Sequence, residues 1–230
     1  MKRFFVNQLV IAALVVAAVF TSCGRDNDGD ECVEGETGVV TQIIAKVENA
    51  AEYNLIDMVA LRAQISLNQR EVLAVADFKN GGFTLQLPET VDEKYLRPIS
   101  DRWGEGITIS NTSAKIFSNA YISGYKDDAL NRSYNTLECI KEIETSNSVS
   151  LYLKEYWYVD SDVNVSGTHT ETFQQFITSN STVSLVLKKG WNVVYIKYIQ
   201  SDPRSMGFVT EYKTELRNTA ICGLKWQIIR

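Results

Sequence analysis

Apolar and polar residues alternate with a period of two through much of the second half of this 230-residue chain. Residues 183–187 and 224–228 both show the pattern, and in residues 191–199 both alternating sets are apolar. Successive side chains of an extended strand point to opposite faces, so the alternation predicts strands with one buried face. The doubly apolar segment predicts a central strand covered on both sides. The chain is therefore expected to be all-β.

Weaker β signals continue through the N-terminal half. Residues 39–47 alternate, and Asn80-Gly81 supplies the positive φ angles of a tight turn. This turn predicts a hairpin between residues 71–78 and 82–87. The one helix candidate is residues 136–145, because Asn135 and the glutamate three residues later resemble a helix cap.

Roughly ten to twelve strands with short turns predict an antiparallel β-sandwich of the immunoglobulin or transthyretin type. Residues 89–110 contain Pro98 and many charged residues, which is typical of a junction. Residues 38–110 and 111–230 are accordingly expected to form two portions of one sandwich, or two small sandwiches in tandem.

The N-terminus has the parts of a secretory signal over residues 1–22. Lys2 and Arg3 precede an apolar run over residues 9–20, which is too short to span a bilayer. The following Thr21-Ser22-Cys23 resembles a bacterial lipobox, in which the cysteine thiol is acylated. We therefore predict lipidation of Cys23; the alternative is an ordinary cleaved signal peptide.

Residues 23–37 are predicted to be an acidic, flexible tether, because they are too polar to bury apolar surface. Acidic residues directly behind a lipidated cysteine resemble the export signal of Bacteroidetes-type surface lipoproteins. That resemblance implies an outer-membrane protein that faces the cell exterior.

Removal of residues 1–22 leaves 21 basic and 28 acidic side chains, a net charge of −7. Without a cluster of basic residues, the chain lacks the electrostatic signature of a nucleic-acid-binding protein. Three cysteines remain behind Cys23. Because Cys32 lies in the tether, the only internal disulfide that the spacing favours is Cys139–Cys222, and both could also be free thiols.

Two segments, residues 80–88 (NGGFTLQLP) and residues 187–195 (LKKGWNVVY), resemble hairpins of uncharacterised β-sandwich lipoproteins from gut Bacteroidetes. The resemblance covers the whole mature chain. It implies the fold and the cell-surface address but no catalytic or ligand-binding residue. Some proteins with this fold and address are accessory proteins of glycan uptake, and others are fimbrial adhesins.

Several catalytic chemistries have no support in the sequence. His169 is the only histidine, so a histidine-rich metal site is excluded, and no nucleophile motif lies near it. There is no glycine-rich phosphate loop, and no cofactor is implied. Glycoside hydrolysis needs only two carboxylates, but nothing in the sequence nominates a pair. The protein is predicted not to be an enzyme.

One set of polar residues has the spacing of a calcium-binding loop. Val165 occupies the position that requires glycine, and the same spacing is also found on the polar face of a strand. The set consists of Asp160, Asp162, Asn164, Ser166 and Glu171.

A second set combines aromatic and acidic side chains, which suits a sugar because C–H patches stack on rings while hydroxyls bind carboxylates. Tyr156 and Tyr158 are expected to share an outward face with Asp160 and Asp162, and Trp103 lies in a loop. The alternative is that the rings pack into the core.

These features together predict a non-enzymatic, lipid-anchored surface protein that binds a glycan or a partner protein of an outer-membrane assembly. The main alternative is a fimbrial or adhesion subunit, and a minor alternative is a calcium-stabilised β-sandwich. The sequence leaves the ligand, the partner and the oligomeric state open.

Overall fold

The computed structural model describes residues 36–53, 55–66, 69–126, 133–146, 148–173, 177–201 and 210–229. These residues are almost entirely strands and loops, with three short 3-10 helices and no α-helix. The 3-10 helices are Ala50–Glu52, Glu93–Tyr95 and Ile99–Arg102. The strands, in chain order, are β1 (Val39–Val40), β2 (Gln42–Lys46), β3 (Met58–Ser66), β4 (Gln69–Asp77), β5 (Gly82–Gln86), β6 (Arg97–Pro98), β7 (Ile107–Ile109), β8 (Lys115–Phe117), β9 (Ala120–Tyr125), β10 (Ser133–Glu144), β11 (Ser148–Val159), β12 (Val163–Phe173), β13 (Ile177–Leu187), β14 (Gly190–Ser201), β15 (Thr210–Arg217) and β16 (Lys225–Ile229). The prediction of an all-β chain is confirmed.

Fourteen of these strands form one large open sheet, and β2 and β5 form a small second sheet. The main path of the large sheet is β4-β3-β9-β10-β11-β14-β15-β13-β12-β7. Pairing is antiparallel except between β13 and β15, which are parallel, so the large sheet is mixed rather than purely antiparallel. An isolated bridge between Val47 and Trp226 connects the end of β2 to β16 of the large sheet.

Two apolar cores lie on opposite faces of β11 and β14. The first core includes Tyr156 and Val193, and the small sheet contributes Ile43 and Leu85 to it. The second core includes Trp157, and it is completed by residues from β12, β13 and β15. Residues 191–196 of β14 are all buried, so the prediction of a strand covered on both sides is confirmed.

The period-two pattern correctly identifies the buried face of several strands. Val183, Leu185 and Leu187 are buried in the second core, while Trp226 and Ile228 are buried in the first core. The residues between them, Ser184, Val186 and Gln227, lie on the other face, where Val186 is 56% exposed. Alternation therefore reports burial reliably in these strands because only one face is covered by another layer.

The predicted helix at residues 136–145 is wrong, because this segment belongs to the 12-residue strand β10. The supposed capping residue, Asn135, donates its side-chain amide to the carbonyl of Ile229 at 3.2 Å. Leu137 and Cys139 are buried while Glu138 between them is partly exposed, which is strand periodicity. Pairing with β9, β11 and β16 overrides a weak local preference for helix.

The turn at Asn80-Gly81 is confirmed, but the hairpin is not. Both residues have positive φ, 54° and 74°. Beyond the bridge between Lys79 and Gly82, however, β4 pairs with β3 and β5 pairs with β2. The turn therefore passes the chain from the large sheet to the small one.

The second expected hairpin, around residues 187–195, is also not formed as a pair of neighbouring strands. β15 lies between β13 and β14 and pairs with both of them. The connection at residues 188–189 therefore crosses over one strand.

The Cys139–Cys222 disulfide, which the sequence left open against free thiols, is not formed. Cys139 is a buried free thiol in the first core. Cys222 is disulfide-bonded, and its partner lies outside the described residues. Cys139 lies in the first core, where burial raises its pKa to about 11.

Candidate functional site

A fork in the large sheet is formed where β10 changes its neighbour. Residues 133–137 of β10 pair with β9, and residues 139–144 pair with β11. On its other edge, β10 pairs continuously with β16 over residues 136–140. Glu138 is the residue at which β9 has ended and β11 has not yet begun.

The strand registers place four polar side chains in a row across this fork. Arg62 of β3 is paired with Tyr121 of β9. Extending the β9–β10 register by one residue places Tyr121 beside Glu138, and extending the β10–β11 register places Glu138 beside Glu155. All four side chains lie on the face that carries the second core, opposite to Leu137 and Cys139.

The fork encloses a cleft of about 160 Å³. Its polar lining consists of Tyr121, Thr136, Glu138, Lys154, Glu155 and Tyr156, and its apolar lining includes Leu137 and Trp226. The hydroxyl oxygen of Tyr121 is buried and has no hydrogen-bond partner in the described part of the chain. Ligand pockets for drug-sized molecules measure about 300–1,000 Å³, so this cleft suits a substituent rather than a whole ligand.

Next to the cleft, Arg102 and Glu155 both contact one indole. The guanidinium of Arg102 lies 4.2 Å from the ring centroid of Trp157, and the Trp157 Nε1–H donates to Glu155 Oε2 at 2.7 Å. Trp103 packs against Trp157 with a centroid distance of 6.4 Å. Arg102 also donates to the Ser118 hydroxyl at 2.8 Å. Arg102 is consequently fixed in place while much of its side chain remains exposed.

Two exposed tyrosines extend this face beyond the apolar part of the second core. Tyr198 of β14 is 40% exposed and Tyr212 of β15 is 38% exposed. Tyr198 is paired with Thr214, and Gln200 with Tyr212, so the two rings are diagonal neighbours on one face. We call the whole surface the acidic–aromatic patch; it consists of Arg102, Trp103, Glu138, Glu155, Tyr198 and Tyr212.

Burial perturbs the ionisable groups of the patch. It raises the pKa of Glu138, and it raises the pKa of Glu155 even though the hydrogen bond from Trp157 and the charge of Arg102 act in the opposite direction. Desolvation lowers the pKa of Arg102, and burial followed by the charge of Glu155 raises the pKa of Tyr198. Perturbed groups clustered beside a cleft are typical of functional sites.

No protein-family model, curated protein or solved structure matches the chain. Its function therefore has to be inferred from the side chains of the patch.

Replacing Glu155 with glutamine is expected to stabilise the protein near neutral pH. A carboxyl whose pKa is raised by folding binds its proton more tightly when folded, so its contribution to stability is full at low pH and is lost as pH rises through the folded pKa. The glutamine oxygen can still accept the Trp157 hydrogen bond.

Thermal unfolding of the two proteins should therefore show a higher Tm for Glu155→Gln near neutral pH and similar values in acid, where Glu155 is protonated. Glu142→Gln, an exposed position on the neighbouring strand β10, is the matched control. Equal Tm values near neutral pH would show that the carboxylate is not desolvated.

Two of the sequence-predicted ligand residues do not point outward. Tyr156 and Tyr158 are buried in the first core, at 6% and 4% exposure. Tyr156 stacks on Trp226, and Tyr158 meets Trp191 edge to face. The expected outward face is covered because β16 and the segment around Glu36 lie over it. Trp103, in contrast, is half-buried and takes part in the patch.

The two acidic residues predicted to bind a ligand, Asp160 and Asp162, instead accept hydrogen bonds from backbone amides of other segments. Asp160 Oδ1 accepts from the Lys115 amide at 2.8 Å. Asp162 binds Lys188 Nζ at 2.8 Å and the Lys189 amide at 2.9 Å, and these contacts lower its pKa. Both side chains fix the connections at the ends of β11 and β13.

The calcium-loop residues do not converge. Asn164 and Ser166 are exposed on one face of β12, whereas Glu171 lies on the other face, with Oε2 4.0 Å from His169 Nε2. The described residues contain no group of three or more metal-binding side chains. A strand separates these residues because its side chains alternate between faces.

His169 supports the loop that carries Trp103. Its Nδ1 lies 2.8 Å from the carbonyl oxygen of Glu105. A Cβ atom built on Gly104 would lie 2.4 Å from the imidazole, so glycine is needed for this close approach. The histidine thus packs against the loop that carries Trp103.

The predicted signal peptide, the lipidation site Cys23, and all of the tether except its last two residues lie outside the described residues. In the described part of the chain, no helix is long and apolar enough to cross a membrane.

Sequence reasoning missed Arg102, Glu138, Glu155 and Tyr198. Glu155 could have been identified from the sequence, because it is the one acidic residue between the apolar residues Leu153 and Trp157 on one face of β11. Glu138 could not have been identified in this way, because its surroundings depend on which strands pair with β10.

Proposed function

We propose that the protein is a non-enzymatic, lipid-anchored cell-surface protein that binds a glycan through the acidic–aromatic patch. The observation that carries the proposal is the arrangement around Trp157, where Arg102 and Glu155 are fixed at the edge of partly exposed rings. Trp103 and Tyr198 supply ring faces for the C–H patches of a sugar. Arg102 supplies donors and Glu155 supplies acceptors for its hydroxyl groups.

Several features support the cell-surface address and the finer fold. The lipobox-like sequence at Cys23 and the acidic residues behind it support an anchor in the outer membrane with the domain facing outward. An immunoglobulin- or transthyretin-like sandwich is supported by the first core, to which the small sheet contributes Ile43 and the large sheet contributes Leu61. A net charge of −7 in the mature chain argues against nucleic-acid partners.

Trp103→Ala is expected to weaken glycan binding by about tenfold or more, because an aromatic contact residue commonly contributes over about 1.4 kcal/mol. The mature protein, purified in detergent, would be screened against polysaccharides and mucin glycans, and the affinity for each bound glycan would then be measured for wild type and variant.

Two further variants control this experiment. Trp103→Phe retains a ring and should bind better than Trp103→Ala, and Asp101→Ala changes an exposed neighbour and should have no effect. Absence of binding to every glycan would refute the proposal and favour a protein partner. Concentration-dependent polymers on size-exclusion chromatography would instead favour a fimbrial subunit.

A further inference from the structure

One face of β3, β4 and β9 carries two arginines and two tyrosines beside exposed apolar side chains. The strand registers pair Arg62 of β3 with Val72 on one side and with Tyr121 on the other, so these three side chains share a face. We call this surface the arginine–tyrosine face; it consists of Arg62, Arg70, Val72, Val75, Tyr121 and Tyr125.

The two arginines are neighbours, and each guanidinium is stacked against a tyrosine ring. The guanidinium of Arg62 lies 5.7 Å from the ring centroid of Tyr125 and donates to the Tyr125 hydroxyl. The guanidinium of Arg70 lies 5.1 Å from the ring centroid of Tyr121. Arg62 also donates to the Arg70 carbonyl at 3.2 Å, while its buried Nε has no hydrogen-bond partner in the described residues. The protein therefore fixes both guanidinium groups but uses only some of their donors.

Carboxylates do not neutralise these two charges. In the part of the chain that the structure describes, neither Arg62 nor Arg70 forms an ion pair. Three acidic side chains that border β3 and β4 each bind a lysine instead. These pairs are Asp57–Lys126 at 2.9 Å, Asp77–Lys79 at 2.6 Å and Glu71–Lys94 at 2.6 Å. Two neighbouring positive charges repel each other, so an anion that contacts both would be bound favourably.

The face also exposes apolar surface. Val72 is 40% exposed and Val75 is 47% exposed, and Arg70 beside them is exposed as well. Arginine and tyrosine are enriched at the energetic centres of protein interfaces, and contiguous apolar surface marks interaction sites. A small anion or a phosphate backbone would use the charges alone. A polypeptide segment can satisfy the charges and cover the two valines at the same time.

We propose that the arginine–tyrosine face binds an acidic segment of a partner protein, with carboxylates on Arg62 and Arg70 and apolar side chains on Val72 and Val75. The complementarity is local, because the mature chain has a net charge of −7 and the rest of its surface repels an acidic segment. The inference is independent of the glycan site, since the face lies on β3, β4 and β9 and shares no residue with the acidic–aromatic patch.

Two synthetic peptides of equal length test this inference, one a repeat of Glu-Val-Glu-Ser and the other a repeat of Gln-Val-Gln-Ser. The mature protein in detergent is expected to bind the glutamate peptide at least about tenfold more tightly, measured by fluorescence anisotropy at low ionic strength. Added salt should reduce the difference, because it screens exposed charges. Arg70→Gln should remove most of the preference with little change in Tm, since Arg70 forms no ion pair in the described residues.

Three further variants make the measurement specific. Arg97→Gln changes an exposed arginine of β6, outside the face, and should retain the preference. Arg70→Glu should reverse it, so that a Lys-Val-Lys-Ser peptide binds better than the glutamate peptide. Val75→Thr keeps a β-branched residue and should weaken binding of both the glutamate and the glutamine peptide.

Each other outcome overturns the inference. Equal binding of the two peptides, or an equal loss in Arg97→Gln and Arg70→Gln, would show that the face does not recognise carboxylates. If a peptide of residues 24–35 binds through Arg70 and the glutamate peptide does not, the occupant is the tether of another copy. If vesicles of phosphatidylglycerol bind through Arg70 and no peptide does, the occupant is a lipid. Arg70→Gln should leave glycan affinity unchanged, so failure here does not affect the proposed glycan site.

Discussion

Cys222→Ser is expected to lower the free energy of unfolding by about 2–5 kcal/mol, the usual cost of removing a disulfide from a secreted domain. Cys222 is disulfide-bonded and follows Ala220 and Ile221, which are buried in the first core. The bond therefore constrains a well-packed segment. A cross-link that closes a long loop restricts the unfolded chain strongly, which is the main source of its stabilising effect.

Denaturant unfolding with and without reductant measures this contribution. Reduced wild type should unfold at the same denaturant concentration as Cys222→Ser, and reductant should have no effect on the variant. Cys139→Ala is the control, because Cys139 is free and its variant should keep the reductant-sensitive step. A Cys222→Ser protein as stable as oxidised wild type would contradict the prediction.

Peptide mapping without reduction adds a second readout. Cys139 should be recovered as a thiol that alkylates only after denaturation, because burial raises its pKa to about 11. Cys222 should be linked to one of the other two cysteines of the chain, Cys23 or Cys32. Because acylation consumes the thiol of Cys23, a protein lipidated there can form this disulfide only through Cys32.

Strands were predictable from the sequence, but the partners of strands were not. The alternation over residues 183–187 depends only on which face of β13 is covered, and it is visible in the chain itself. The insertion of β15 between β13 and β14 depends on residues more than twenty positions away. No local signal in the Lys188-Lys189-Gly190 connection distinguishes a hairpin from a crossover.

The candidate site was predictable only in part for the same reason. Trp103 was recognised because an indole among polar neighbours is unusual in any loop. Glu138 and Glu155 come together because β10 exchanges β9 for β11 between Leu137 and Cys139, which is a long-range property of the sheet. Tyr156 was misplaced because the segments that cover it, around Glu36 and Trp226, are distant in sequence.

Glu36→Gln is expected to destabilise the protein by about 3 kcal/mol, because it leaves a mostly buried lysine without its counter-charge. Lys154 Nζ lies 3.2 Å from Glu36 Oε2, and the two side chains are 13% and 33% exposed. Tyr156 donates to the same carboxylate oxygen at 3.1 Å, and Tyr195 donates to the Glu36 carbonyl at 2.7 Å. This cluster fixes Glu36 onto β11 and β14.

A double-mutant cycle with Lys154→Met isolates the charge interaction, because methionine can cover the rings of Tyr156 and Trp226 without a charge. The double variant should be more stable than the sum of the single effects implies, by a coupling energy of about 1–3 kcal/mol. Asp77→Asn is the matched control, since Asp77 and Lys79 form an ion pair at 2.6 Å with side chains 60% and 74% exposed. Exposed pairs contribute about 0–1 kcal/mol, so a loss in Glu36→Gln no larger than in Asp77→Asn would show that burial does not strengthen the Glu36 contact.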